Sequence, residues 1–261
     1  MHPALWISKT GLDAQQTNIS TISNNVANAS TIGFKKDRAM FEDLLYQNIN
    51  QAGGISAQNT ELPVGLSLGA GAKVVATQKI HSQGNMLTTN NSMDLMIDGK
   101  GFFEIEMPDG NIAYTRAGQF TLDNEGQMVT PSGYVVQPAI TIPEDAQSVT
   151  VSAEGEVSVA IPGQAENQIV GQLTISDFVN PSGLESMGQN LYRETGASGA
   201  PIQGTASLDG MGAIRQGALE TSNVNVTEEL VNLIQSQRVF EMNSKVISSV
   251  DQMLSYANQN L

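Results

Sequence analysis

Residue types that carry chemistry are sparse in this chain, which has two histidines, His2 and His81, and no cysteine. A histidine-based metal cluster or a Ser-His-Asp triad would hang on a single imidazole. A thiolate metal site, a cysteine nucleophile and a disulfide framework are excluded. Glu104 and Glu106 share one face of an extended segment, as a carboxylate pair for acid-base work would. Their alternation with Phe103 and Ile105 predicts instead the solvated face of a half-buried strand. Residues 65–73 (GLSLGAGAK) are glycine-rich but lack the Walker spacing, its Lys-Ser/Thr ending and any dinucleotide fingerprint, and read as a flexible turn. Asp123-Asn124-Glu125-Gly126 begins like a calcium loop without the downstream bidentate glutamate, and reads as a hairpin turn. Asn28-Ala29-Ser30 and Asn225-Val226-Thr227 match the glycosylation pattern, which chance supplies at this asparagine content. Trp6 and Arg238 lie on or beside helical stripes and suit packing or an interface. No catalytic residue, cofactor site or metal ligand emerges, so the chain is expected not to be an enzyme.

The elements that position these residues change period along the chain. Leu5, Leu12, Ile19 and Val26 recur every seven residues, with Ile22 widening the stripe, which predicts a helix ending near Ala29, where Ser30, Thr31 and Gly33 supply stop signals. Its polar face, rich in Gln, Asn, Ser and Thr from Gln15 to Asn25, lacks the Glu/Lys pairs that stabilise isolated helices. At the other end Val226, Leu233, Phe240, Ile247, Leu254 and Leu261 repeat the seven-residue spacing, with Val239, Val246 and Met253 beside them. Asn225 or Thr227 caps this helix, and Glu228 and Glu229 suit the positive end of its dipole. Two such stripes at opposite ends suit helices paired as a coiled coil that closes on itself and on neighbours.

Between the helices the period falls to two. Phe103, Ile105 and Met107, a turn at Pro108-Asp109-Gly110-Asn111, then Ile112 and Tyr114 predict a hairpin. Phe120 and Leu122 with Met128 to Thr130, and Val149 and Val151 with Val157, Val159 and Ile161, read the same way. Leu173 and Ile175 add a strand. Residues 46–68 read as an extended arm, and residues 196–217 as a Gly- and Ala-rich return to the last helix. The expected class is α+β: residues 1–33 an N-terminal coiled-coil helix, 34–80 a linker and arm, 81–216 an all-β antiparallel middle domain, and 217–261 a linker and C-terminal coiled-coil helix.

Charge narrows the partners. Twelve basic and 26 acidic residues give a formal net of -14, which disfavours nucleic acid and anionic membrane surfaces. No stretch reaches the roughly 18 apolar residues of a membrane span, and the first apolar run is too short for a secretory signal. The chain is expected to stay in the cytoplasm or to leave by a route that reads no cleaved signal. On the residues alone, a secreted β-domain enzyme such as a wall hydrolase and a soluble adhesin stand beside a structural subunit. Truncating both termini separates them, since only the subunit needs its helices.

Residues 8–14 (SKTGLDA) and 24–35 (NNVANASTIGFK) resemble the N-terminal signature of the flagellar rod and hook family, and residues 217–247 its C-terminal signature. The resemblance runs over about residues 5–254 and is weakest through 149–168. Asn25, Asn28, Thr31, Gly33 and Phe34 carry the first motif, and Ser222, Asn223, Val224, Asn225, Gln237 and Arg238 the second. Residues 46–68 and 81–105 are similar to the members that build the distal rod rather than the proximal rod or hook, which remain the nearest alternatives. The resemblance implies a helical homopolymer whose paired terminal helices form an inner tube and whose β region forms the outer surface. Leu5, Leu12, Ile19, Val26, Leu233, Phe240, Ile247 and Leu254 would carry the helix packing, and the Asn/Gln-rich face lateral hydrogen bonds. It implies as partners the proximal rod, hook and rod cap proteins, the L and P ring proteins and the flagellar type III export apparatus, through which subunits pass unfolded. The arm at 46–68 would wedge between subunits and stiffen the shaft.

Overall fold

Pro3 opens the first helix, α1 (Pro3–Ala27), where a missing backbone N–H costs nothing and φ is already helical. A computed structural model describes residues 3–50, 55–57, 60–61, 64–162, 167–208 and 210–259. The second helix, α2 (Val226–Gln259), starts where expected: Asn225 Oδ1 accepts from the backbone N–H of Thr227 at 3.1 Å and of Glu228 at 3.4 Å. Leu261 lies outside the described residues. α1 stops two residues short of Ala29. Thr31 donates its backbone N–H to the Asn28 carbonyl and its Oγ1 hydrogen to Asn28 Oδ1, both at 3.1 Å, which turns the chain out of the helix.

The chain forms two units, each discontinuous in sequence: Met1–Ala27, Asp37–Gln78 and Asn225–Leu261 make unit 1, and Asn28–Lys36 and Lys79–Val224 make unit 2.

In unit 1, α1 packs on α2 through a polar ladder. Asn25, 1% exposed, donates to the Asp37 carbonyl at 2.8 Å and to Glu229 Oε2 at 3.3 Å, and accepts from the Asp37 N–H at 2.9 Å. Asn18 Nδ2 donates to Ser236 Oγ at 2.9 Å. At Gly11 an added Cβ would lie 2.9 Å from Asn243 Nδ2. Positions 11, 18 and 25 thus meet 243, 236 and 229, a seven-residue step on each helix that makes the pair antiparallel. Val250, one step further, is buried. Two asparagines of the polar face are therefore satisfied inside the subunit. Asn25→Ala strands Glu229 and the Asp37 backbone, and is expected to lower stability in urea unfolding by about 1–3 kcal/mol.

Asp37–Asp43 pairs with Ala72–Lys79. The segment expected as an arm contains two antiparallel pairs, Tyr46–Asn50 with Leu66–Gly69 and Ile55–Ala57 with Thr60–Glu61. Residues 51–54, 58–59 and 62–63 of it lie outside the described residues.

Unit 2 is mostly antiparallel sheet. Phe102–Glu106 is its central strand, paired to Ile112–Thr115 in the predicted hairpin register (Glu106 opposite Ile112, Glu104 opposite Tyr114), to Val135–Gln137, and at its start to Thr174–Asp177. Thr121–Leu122 pairs with Met128–Val129, and Ser148–Val151 with Glu156–Ala160, both as predicted. The core gathers Leu95, Ile97, Phe103, Ile105, Phe120, Val157, Val159, Leu173, Ile175 and Ile214. Phe102, Tyr114, Phe178, Leu184 and Tyr192 form a second cluster.

Two expectations fail here. Residues 196–217 hold the strands Ile202–Thr205 and Ala213–Gln216, which pair with Thr174–Asp177 and Leu95–Asp98. Strands this short draw their order from distant partners rather than from local pattern. Glu104 is not solvated but 3% exposed. It accepts from Ser176 Oγ, and from Gln203 Nε2 at 2.8 and 3.0 Å. The neighbouring strands cover the face that alternation assigns to water, and Glu106 alone stays exposed.

Candidate functional site

Unit 2 brings together the segment after α1 and the segment before α2. Gly33 donates its N–H to the Glu220 carbonyl at 2.8 Å and Asn223 donates to that of Phe34 at 3.4 Å. Asn223 Oδ1 accepts from the Lys36 N–H at 2.8 Å, and its Nδ2 donates to Ile80 O at 2.8 Å and Ser82 O at 3.1 Å. Ser222 Oγ accepts from the Val224 N–H at 3.3 Å. Gly33 is required, since its φ is +71° and a Cβ would come 2.7 Å from the Ala117 nitrogen.

Beneath this clasp lies a buried ionic triad. Lys35 Nζ meets Glu220 Oε1 at 2.6 Å, and Arg116 Nε meets Oε2 at 2.9 Å. Lys35 also donates to Ser82 O at 2.7 Å, and Gly84 N–H donates to Glu220 Oε1 at 2.8 Å. Arg116 donates to the carbonyls of Gly101 at 2.6 Å and Gly99 at 2.9 Å. Lys35 and Glu220 are each 1% exposed and Arg116 is 5% exposed. Burial works to raise the Glu220 pKa, but Arg116 and Lys35, with the hydrogen bonds from Lys35 and Gly84, hold it below the usual carboxylate value. Burial lowers that of Lys35, against the pull of Glu220. Sequence reasoning missed Lys35, Arg116 and Glu220 as a set. The one available signal is Glu220 at the two-residue step from Ala218, a lone acid on the inward face of a short strand.

His81 packs edge-on against Phe102 and Tyr192, ring centroids 5.6 Å away in both cases. Burial, then Lys35, Lys79 and Arg116, push its pKa down to about 4, with the Pro181 backbone pulling weakly the other way. Asp177 and Lys100 share its cavity. The unfolded chain therefore takes up a proton between pH 6.5 and about 4 that the folded chain refuses, so stability drops as pH falls through that window. Between pH 7 and 5 this is expected to amount to about 2 kcal/mol. Urea unfolding of wild type and His81→Phe at both values checks it, the variant losing that share of the pH dependence. His2 lies outside the described residues.

Unit 1 carries the other notable surface. Along α2, Leu230, Val231, Ile234, Phe240, Met242, Val246, Met253, Leu254 and Tyr256 are exposed, as are Trp6 and Ile7 on α1. Of the seven-residue stripes, Leu5, Leu12, Ile19, Val26, Leu233 and Ile247 are half-buried, while Phe240 is 37% and Leu254 41% exposed. Gln237 and Arg238 are exposed on α2. Leu230, Val231, Ile234, Met242, Val246, Met253 and Tyr256 share one side of α2, while Phe240 and Leu254 lie on another, beside the seam of Glu229, Ser236 and Asn243. The polar seam holds the helix pair together, and exposed apolar side chains in this number suit the surface of a structural subunit.

Residues 6–35 match the family described as Flagella basal body rod protein, 96–159 the Flagellar hook protein FlgE/F/G D1 domain, and 215–260 the Flagellar basal body rod FlgEFG protein C-terminal family. Relatives called Flagellar basal-body rod protein FlgG are similar over nearly the whole chain. That of Buchnera aphidicola (subsp. Acyrthosiphon pisum) is 56% identical over 99% of this chain and 100% of its own. That of Borreliella burgdorferi is 48% identical over 99% and 98%, and that of Bacillus subtilis 40% identical over 96% of each. The chain belongs to the flagellar basal-body rod protein family, a structural family that assembles with other proteins in the flagellar basal body.

Proposed function

We propose that this chain is the subunit of the distal rod, polymerising helically into the rigid shaft that carries motor torque to the hook. The exposed apolar side chains of α2, on a chain similar end to end to basal-body rod proteins, carry this reading. Contacts between different patches on successive copies do not close into a ring, and generate a filament. The paired helices of many copies build a coiled-coil inner tube, with Leu233, Phe240, Ile247 and Leu254 facing neighbouring helices. The β region forms the outer surface, and the strands within residues 46–69 reach neighbouring subunits. The shaft crosses the peptidoglycan and outer membrane, is continuous with the proximal rod and hook proteins, grows under a rod cap protein and turns inside the L and P rings. Subunits arrive unfolded through the type III export apparatus. Deleting the gene and imaging isolated basal bodies by electron microscopy tests this. Short rods without hooks, restored by the intact gene, are expected; complete hooks and filaments overturn it.

A further inference from the structure

Beside the clasp, a cavity of about 300 Å³ is walled by Lys35, His81, Lys100, Phe102, Arg116 and Asp177, among others. Three of these are cations and one is a carboxylate, and Glu220 bonds both Lys35 and Arg116. Three positive charges against Asp177 and Glu220 leave a net of +1, in a chain whose formal charge is -14. The site is built rather than incidental. Lys100 stands between Gly99 at φ +122° and Gly101 at φ +126°, conformations that L side chains rarely adopt. The carbonyls of both glycines are held by the Arg116 guanidinium at 2.9 and 2.6 Å. A Cβ at position 99 would come 2.8 Å from the Gly212 Cα. Arg116 is thus the buried post on which the Lys100 turn is mounted. Among the described residues Lys100 makes no ion pair. Both ring nitrogens of His81 are shielded from solvent, beside the Pro181 backbone. Asp177 accepts from its neighbour's backbone, the Phe178 N–H, at 2.9 Å.

We infer that this cavity receives the carboxylate side chain of an Asp or Glu from a second copy of this chain. Lys100 forms the ion pair at the rim. A carboxylate is acceptor-only and bonds an ammonium as a charge-assisted pair. The chain's own composition argues for a copy as the source. With 26 acidic residues against 12 basic, each neighbour in a homopolymer brings surplus carboxylates, and fixed cations that meet them offset the repulsion between like-charged subunits. The inference rests on the chain being a polymerising subunit.

Zero-length carbodiimide cross-linking with peptide mass spectrometry, on isolated basal bodies and on purified monomer, tests it. In basal bodies Lys100 is expected in an amide with an Asp or Glu of the same chain sequence, a link missing from the monomer. Lys100→Glu is expected to reduce hooked basal bodies at least tenfold while leaving the monomer's circular dichroism unchanged, and Lys100→Arg to restore them. An unlinked Lys100, a link present equally in the monomer, or a link only to another protein overturns the inference, as does normal hook number in Lys100→Glu. If the wild-type chain is not found in basal bodies, the subunit reading itself has failed, which is a separate result.

Discussion

Replacing Glu220 by alanine is expected to lower the unfolding free energy by about 3–5 kcal/mol, because two buried cations, Lys35 and Arg116, lose their shared partner. For a chain of this size that corresponds to a melting shift on the order of 10 °C. The damage comes from stranded charge rather than from a missing contact. Adding Lys35→Met to Glu220→Ala is therefore expected to recover part of the loss, giving a favourable coupling in a double-mutant cycle. Additive losses would show that the two do not act as one group. The acid limb has a definite sign. The folded Glu220 has a lowered pKa, so its contribution is fully present above pH 4.5 and is lost as pH falls through the folded value. Glu220→Ala flattens that part of the acid-unfolding curve, which thermal melts at stepped pH values would read.

The second large effect concerns association rather than folding. Phe240→Asp and Leu254→Asp are expected to abolish rods and hooks while costing the monomer only about 1–2 kcal/mol, so that it still folds. Phe240 and Leu254 keep 37% and 41% of their surface exposed, so losing the part that folding does bury costs the monomer about 1–2 kcal/mol. A carboxylate pressed into an apolar helix interface costs several kcal/mol, and a helical polymer repeats that cost at every subunit. Urea unfolding of the monomers with counts of hooked basal bodies separates the two effects. Glu241→Gln, on an exposed position of the same helix, is the control expected to assemble. A normal hook count in Phe240→Asp and Leu254→Asp would mean that the stripe faces solvent in the shaft. A folded monomer that builds no hooks would place it at contacts between subunits.

The helices were readable because seven-residue spacing and the Asn225 cap are local signals, which long-range packing did not override. The hairpin from Phe103 to Tyr114 was readable for the same reason, its turn residues lying between two runs of period two. What periodicity does not report is what lies over a face. Glu104 is buried because Ser176 and Gln203, 72 and 99 residues further on, close over it. The triad was invisible on the same grounds, since Lys35 and Arg116 lie 185 and 104 residues before Glu220. The helix seam was half legible. The apolar stripe stands out in the sequence, but the contacts inside the subunit are made one position aside from Leu12 and Ile19, at Gly11, Asn18 and Asn25, residues that a hydrophobic pattern discards.

The clasp also dictates an order of events. Gly33, Phe34 and Lys36 bond to residues 220 and 223, and α1 finds its partner only in residues 226–259. A polypeptide delivered as a thread, either end first, cannot finish unit 1 or unit 2 until its opposite end has arrived. Contacts this distant in sequence form slowly. The chain thus carries a built-in delay and closes only once the residues near both of its ends are present together.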